Sequence, residues 1–180
     1  MASDTGDVQI PIELGQRLRA LCGLDAAPPT LERFLAALAA SSFVPSPDQL
    51  CATGTSRHRV TIGGRRLYMN CVLDAVLLPL LTGESAEIAS ESPVSGSVVR
   101  ARVSPAGIEI EPPEAVVSFG VARDEGIRGS DALCPYINAF VSTAEYNIWA
   151  ERTPDAIIVM VPMARAYVLG RDYLDQVPPD

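Results

Sequence analysis

Apolar and polar positions follow different periods along this chain, and each change of period marks an element. From Ile12 to Leu21 apolar residues recur at roughly helical spacing, and Pro28-Pro29 stops that helix. Thr30 supplies an N-cap for a second helix to about Ala40. Phe43 to Pro47 is a proline-punctuated link, with a short helix from Asp48 to Cys51. Arg59 to Ile62 and Arg65 to Tyr68 read as strands around Gly63-Gly64, a hairpin signature. A helix is predicted from about Asn70 to Leu81, closed by Gly83 and bent or shortened by Pro79. Strands follow over Ala86 to Ala89, Ser97 to Val103, Gly107 to Ile110 and Ala115 to Gly120, with a turn at Ser104 to Gly107. Asp124 to Asp131 is a polar, glycine-bearing loop, and Ile137 to Val141 an apolar strand. Thr143 caps a helix through Arg152, Ala156 to Val161 is a buried-type strand, and Met163 to Asp175 is a final helix that frays at Pro178-Pro179.

This order of elements predicts an α+β protein. Residues 1–56 form an N-terminal helical region, with a loose tail over residues 1–9 and the outline of a trimmed winged-helix unit. Residues 57–180 form the core, a mostly antiparallel mixed sheet with packed helices. The helical region reads as a lid or support, because the chain is acidic and a nucleic-acid partner needs a basic surface.

The net charge is −8 over 180 residues, and the isoelectric point is about 4.6. Hydrophobic residues make up 48 % of the chain, enough for a substantial core. All 14 basic residues are arginine, which excludes lysine-dependent Schiff-base and P-loop chemistry. The longest apolar run, Val72 to Leu81, is interrupted by Asp74 and Pro79 and is about half a bilayer span. No membrane association is expected. The polar, acidic start from Met1 to Asp7 is unlike a secretory signal, so a cytoplasmic location is expected.

The candidate chemistry lies in four cysteines, Cys22, Cys51, Cys71 and Cys134, and one histidine, His58. They are read as thiols, not as a disulfide framework, and no Cys-x-x-Cys supports a structural zinc site. One histidine also leaves little room for a Ser-His-Asp or Cys-His enzyme. On a helix, Cys71 and Asp74 share a face near the N-terminus, whose dipole favours thiolate. An aspartate among Val72, Leu73, Val76 and Leu77 is costly unless paired or functional. The plainer alternative makes Cys71 a buried filler and turns Asp74 to solvent. Cys134, after the polar loop and before Pro135, is equally open to reading as a buried thiol. Cys22 packs at a helix end, Cys51 lies exposed near the link, and His58 takes a surface or hairpin position. Arg65-Arg66 reads as a solvated edge. Ser130-Asp131 and Glu145 are further acid–base residues without an assigned partner.

The segment Arg65-Arg66-Leu67-Tyr68-Met69-Asn70-Cys71-Val72-Leu73-Asp74 resembles the organomercurial (alkylmercury) lyase family, in the stretch that carries its first catalytic cysteine and aspartate. Pro79 to Gly83, Val103-Ser104-Pro105, and Cys134 with Phe140 and Ser142 to Glu145 extend the likeness over about residues 57–175. The resemblance implies an alkylmercury-lyase-like core that cleaves a carbon–mercury bond to hydrocarbon and Hg(II). Cys71 and Cys134 would bind the mercury and Asp74 would move the proton, with Tyr68 and Leu133 lining the substrate pocket. No added cofactor is implied, Hg(II) being the bound product. The partners implied are a small organomercurial substrate and, as Hg(II) acceptor, low-molecular-weight thiols or a mercuric reductase. Ser92, Asn70 and Pro135 replace a structural cysteine, an aromatic and an adjacent second cysteine of the family pattern. These departures predict a more polar pocket. They also keep open a same-fold lyase or isomerase of a metal-free metabolite, and a non-enzymatic thiol metal-binding protein.

Overall fold

A computed structural model of the protein describes residues 6–41 and 43–178. Part of the expected tail (residues 1–5) and Pro179 of the expected frayed end lie outside them. The first helix, α1 (Ile12–Cys22), ends well before the proline pair, because Gly23 takes the left-handed conformation and its N–H bonds Arg19 O. Gly15 on α1 faces Pro28 O so closely that a Cβ there has no room. The second helix, α2 (Leu31–Ala40), starts where its cap predicts, with Thr30 Oγ1 accepting from Arg33 N. The link then leads to α3 (Pro47–Leu50).

The predicted hairpin is β1 (His58–Ile62) and β2 (Arg65–Met69), in the register Ile62 to Arg65 and His58 to Met69. Its turn uses Gly63 and Gly64, both at positive φ, as a two-residue turn of matching twist requires. Helix α4 (Val72–Thr82) follows, running through Pro79 to a left-handed Gly83. It is shorter at its start than predicted: Cys71 is extended and serves as the cap, so the helix begins after it. The strands β3 (Ala86–Glu91), β4 (Val98–Ser104) and β5 (Gly107–Glu111) join the hairpin in a sheet of order β2-β1-β3-β4-β5.

The rest of the chain builds a second sheet. Its centre is β6 (Val116–Ala122), buried along its whole length, between β7 (Ala139–Phe140) and β8 (Ala156–Pro162). The expected strand at Ile137 to Val141 thus shrinks to two residues, because the chain leaves a 3-10 turn only at Ile137. Between β6 and β7 lie α5 (Ser130–Leu133) and that turn, Cys134–Tyr136. Helix α6 (Thr143–Glu151) is capped one residue earlier than expected, by Ser142, whose Oγ accepts from Glu145 N. Helix α7 (Met163–Gln176) closes the chain. Every strand pair is antiparallel among the described residues, and they divide into two sheets of an α+β fold.

One apolar core joins these parts. Leu14 and Leu18 of α1, Phe34 of α2, Val72 and Val76 of α4, Val117 of β6 and Met163 of α7 belong to the same buried cluster. The N-terminal helices therefore share the core with the sheets, and α2 and α4 both pack on α7. Arg65 and Arg66 lie exposed on edge strand β2, where charge discourages further strand pairing. Among the described residues no helix is long and apolar enough to cross a membrane.

Candidate active site

The residue pair Cys71 and Asp74 meets through the start of α4. As the helix cap, Cys71 places its sulfur where the third N–H of the helix points, and Asp74 N donates to Cys71 Sγ over 3.5 Å. Capping, not a shared helical face, brings the two together. Val72 N donates to Ile137 O over 3.4 Å, which ties this end of α4 to the segment that follows Cys134.

Cys134 opens the 3-10 turn, and buried polar groups hold that turn in place. Ser118 of β6 is fully buried, and its Oγ donates to Tyr136 O and accepts from Asn138 N, each at 2.9 Å. Asn138 Nδ2 donates to Pro135 O over 2.9 Å. The result sets Cys134 Sγ 4.0 Å from Asp74 Oδ2. The two sulfurs and a carboxylate oxygen all lie within 4.8 Å of one another. All four cysteines are free thiols.

Electrostatics here are governed by burial. Asp74 is raised by desolvation from the ordinary carboxylate range to about 6, although hydrogen bonds from Cys71 and Asn70 favour its charged form. Burial pushes the Cys71 thiol well up, with Cys134 and the Asp74 charge acting in the same direction. The Asp74 N–H opposes this, but Cys71 is only 1 % exposed and desolvation wins. The resting group is a protonated Cys71 beside a carboxylate that exchanges its proton near neutral pH. Two thiols and a carboxylate so arranged can clasp one soft metal centre and pass a proton to something attached to it.

The three groups face a cavity of about 650 Å³. Leu73 and Leu77 of α4, Phe34 and Leu38 of α2, and Tyr173 of α7 are on its wall. Leu133 is there too. Tyr68, expected at the pocket, is not: it sits on β2 with its side chain on the face opposite fully buried Met69. The wall is mostly aliphatic and aromatic. Asn70 is on it, but its Nδ2 is engaged by Gln49 O at 2.9 Å.

The remaining residues fall elsewhere. Cys22 lies half-buried on the cavity wall, and Cys51 lines a separate cleft against β2. Cys51 is partly buried, not the exposed thiol expected. His58 is also not a surface residue: it is 3 % exposed, with Nδ1 3.1 Å from Ser90 Oγ. It begins the inner strand β1, which β2 and β3 flank, so its side chain points into the core. Ser130 reaches the cavity wall, Asp131 is exposed, and Glu145 lies away on α6. The walls supplied by α2, Phe43 and α7 had no motif to mark them. Only the apolar stripe of α2, from Phe34 to Leu38, signalled a face in need of a partner.

The family model of alkylmercury lyase matches residues 52–175, which contain Cys71, Asp74 and Cys134. The chain belongs to the alkylmercury lyase family. Alkylmercury lyases of Staphylococcus epidermidis and Streptomyces lividans are 34 % and 33 % identical to it over 115 residues. That of Pseudomonas putida is 32 % identical over 114 residues. Each match covers 63 % of this chain and 52 % of the relative, so the chain spans about half the length of these relatives. The crystal structure of the mercury-bound form of MerB2 superposes with a TM-score of 0.59 at 15 % identity, covering 93 % of this chain and 100 % of that one, and shares the fold. The alkylmercury lyase match starts at Ala52, so the cavity residues of α1, α2 and α3 lie outside it.

Proposed function

We propose that this protein is an organomercurial lyase, cleaving a carbon–mercury bond by protonolysis with Cys71, Asp74 and Cys134. One observation carries the reading: these three side chains, distant in sequence, converge within 4.8 Å on the wall of an apolar cavity. Relatives that bear the name alkylmercury lyase support it.

In this mechanism the substrate is R–Hg–X, with X a thiolate or halide. Cys71 Sγ displaces X from mercury, and the thiol proton leaves with X. Cys134 Sγ then bonds mercury and gives its proton to Asp74 Oδ2, the acceptor 4.0 Å away. The second sulfur loads electron density onto mercury and weakens the carbon bond. Asp74 returns the proton to carbon as the carbon–mercury electron pair moves to carbon, and RH departs. Hg(II) is left between two thiolates and Asp74 is again a carboxylate. No resident cofactor enters these steps, and outside thiols or a mercuric reductase would remove Hg(II) by ligand exchange.

The test is single-turnover hydrocarbon release from phenylmercury with excess small thiol. Wild type should release benzene. Cys71→Ala and Cys134→Ala should lose release, and Asp74→Ala should slow it by about 10²-fold or more, the range for a positioned proton donor. Tight mercury binding without release would instead mark a thiol metal-binding protein. Neither binding nor release would mean that the fold serves different chemistry.

A further inference from the structure

The reactive groups occupy a small part of the cavity, and the rest of it offers room for a further group. At about 650 Å³ it falls in the range that accommodates drug-sized organic ligands. A methyl group on mercury leaves most of that space unfilled. Empty apolar volume forfeits contacts on its lining, whereas a larger apolar group recovers them and removes its own surface from water.

One side of the wall that such a group would meet comes from outside the family-matched segment, the rest from within it. Phe34, Leu35 and Leu38 of α2 line the cavity, as do Phe43 and Pro45 of the link that follows. All precede Ala52, where the family match begins. The α2 part of this wall is firmly held, while the Phe43 side chain is half-exposed. Phe34 stacks edge-on against Phe119 of β6 at 5.8 Å, and the Tyr173 hydroxyl of α7 donates to Phe43 O. Glu32 at the start of α2 accepts from Arg165 of α7 in a mostly buried ion pair at 2.6 Å. A wall fixed this way can select by size, because reshaping it would break contacts with both β6 and α7.

We propose that α2 and the following link form a specificity wall, and that the site takes organomercurials with large apolar groups (aryl, or alkyl chains of several carbons) in preference to methylmercury. This rests on the lyase reading. The organic group packs against Leu38 and Phe43 while its mercury-bound carbon remains beside Asp74. Where the wall holds these atoms equally in the ground and transition states, changing Leu38 shifts KM for a given substrate and leaves its kcat nearly unaltered.

The experiment measures kcat and KM for methyl-, ethyl-, butyl- and phenylmercury, with wild type beside Leu38→Trp, which fills the cavity, and Leu38→Ala, which enlarges it. Circular dichroism checks that both variants fold, and Leu38→Ala carries the test if the larger side chain is not tolerated. Wild-type kcat/KM should rise about fourfold per methylene, the factor given by about 0.8 kcal/mol per buried CH₂. That slope should flatten in Leu38→Trp and extend to longer chains in Leu38→Ala. An active wild type with no rise from methyl to butyl, or variants with the wild-type slope, would overturn the proposal. Naphthalene binding to the metal-free protein, read by its own fluorescence, separates this from failure of the lyase reading. If no substrate releases hydrocarbon, the lyase reading has failed; naphthalene binding weakened at least about fivefold in Leu38→Trp would still support an apolar-ligand wall, and no binding would overturn it.

Discussion

In the proposed mechanism Asp74 accepts a proton before it gives one, and its surroundings decide when it is able to. Burial raises its pKa to about 6, so the carboxylate form that this mechanism calls for is lost as the pH falls through that value. The pH profile of kcat/KM, which reports the free enzyme, should therefore show an acid limb centred near about 6. Below it the rate should drop about tenfold per pH unit, and Asp74→Asn should leave a slow, flat residual rate. A limb centred near the ordinary carboxylate value would mean a solvated Asp74 and would sink this account. At this scale the trio was legible through the family resemblance, because spacing alone left each thiol open to reading as buried filler, and a cap, not the expected shared helical face, joins Cys71 to Asp74. Tyr68 and His58 were not. Whether a strand residue faces a cavity, a core or solvent depends on what covers that face, and local spacing is silent on it.

Among elements, α1 and the turn bearing Cys134 are coupled through one buried cation. Arg17 of α1 is 7 % exposed, and its guanidinium donates to Ala122 O, Asp124 O and Ile127 O at 2.8–2.9 Å. Those carbonyls belong to the end of β6 and the loop that leads into α5 and Cys134. Arg17→Met keeps much of the apolar stem but leaves three carbonyls without a donor. The expected cost is about 1–3 kcal/mol in urea denaturation, since the more exposed carbonyls regain water. Hydrogen exchange should quicken in residues 123–130 and remain slow in the five-stranded sheet. Uniformly faster exchange would mean that Arg17 serves global stability and not this loop. The hairpin, α2 and α7 were legible from turn glycines, a cap and apolar period. The division into two sheets was not, because strand partners are chosen by tertiary contacts between segments far apart in sequence. Nor was the cap by Ser142, since Ser142 and Thr143 offer the same oxygen one residue apart.

In the molecule as a whole, two buried titrating groups act on stability in opposite directions over the same pH range. His58, neutral in the core, has its pKa lowered to about 4 by desolvation and then by the nearby Arg57 charge. Between its unfolded value of about 6.5 and that folded value the unfolded chain holds more protons, so stability declines as pH falls. Asp74 is the reverse: its folded pKa of about 6 lies above the unfolded carboxylate value. The folded state then holds more protons between the two, and stability increases as pH falls. Each effect is on the order of 3 kcal/mol, so they largely offset each other in the wild type. Single substitutions expose them. Asp74→Asn should lose stability in urea from about pH 7 to about pH 4.5, as His58 takes up its proton on unfolding. His58→Asn, which keeps a polar group toward Ser90, should gain relative to wild type across the same interval. Parallel pH dependences in the two variants would show that burial does not shift these groups as described. The acidic site residue and the buried histidine would then have no part in holding the molecule's stability level near neutral pH.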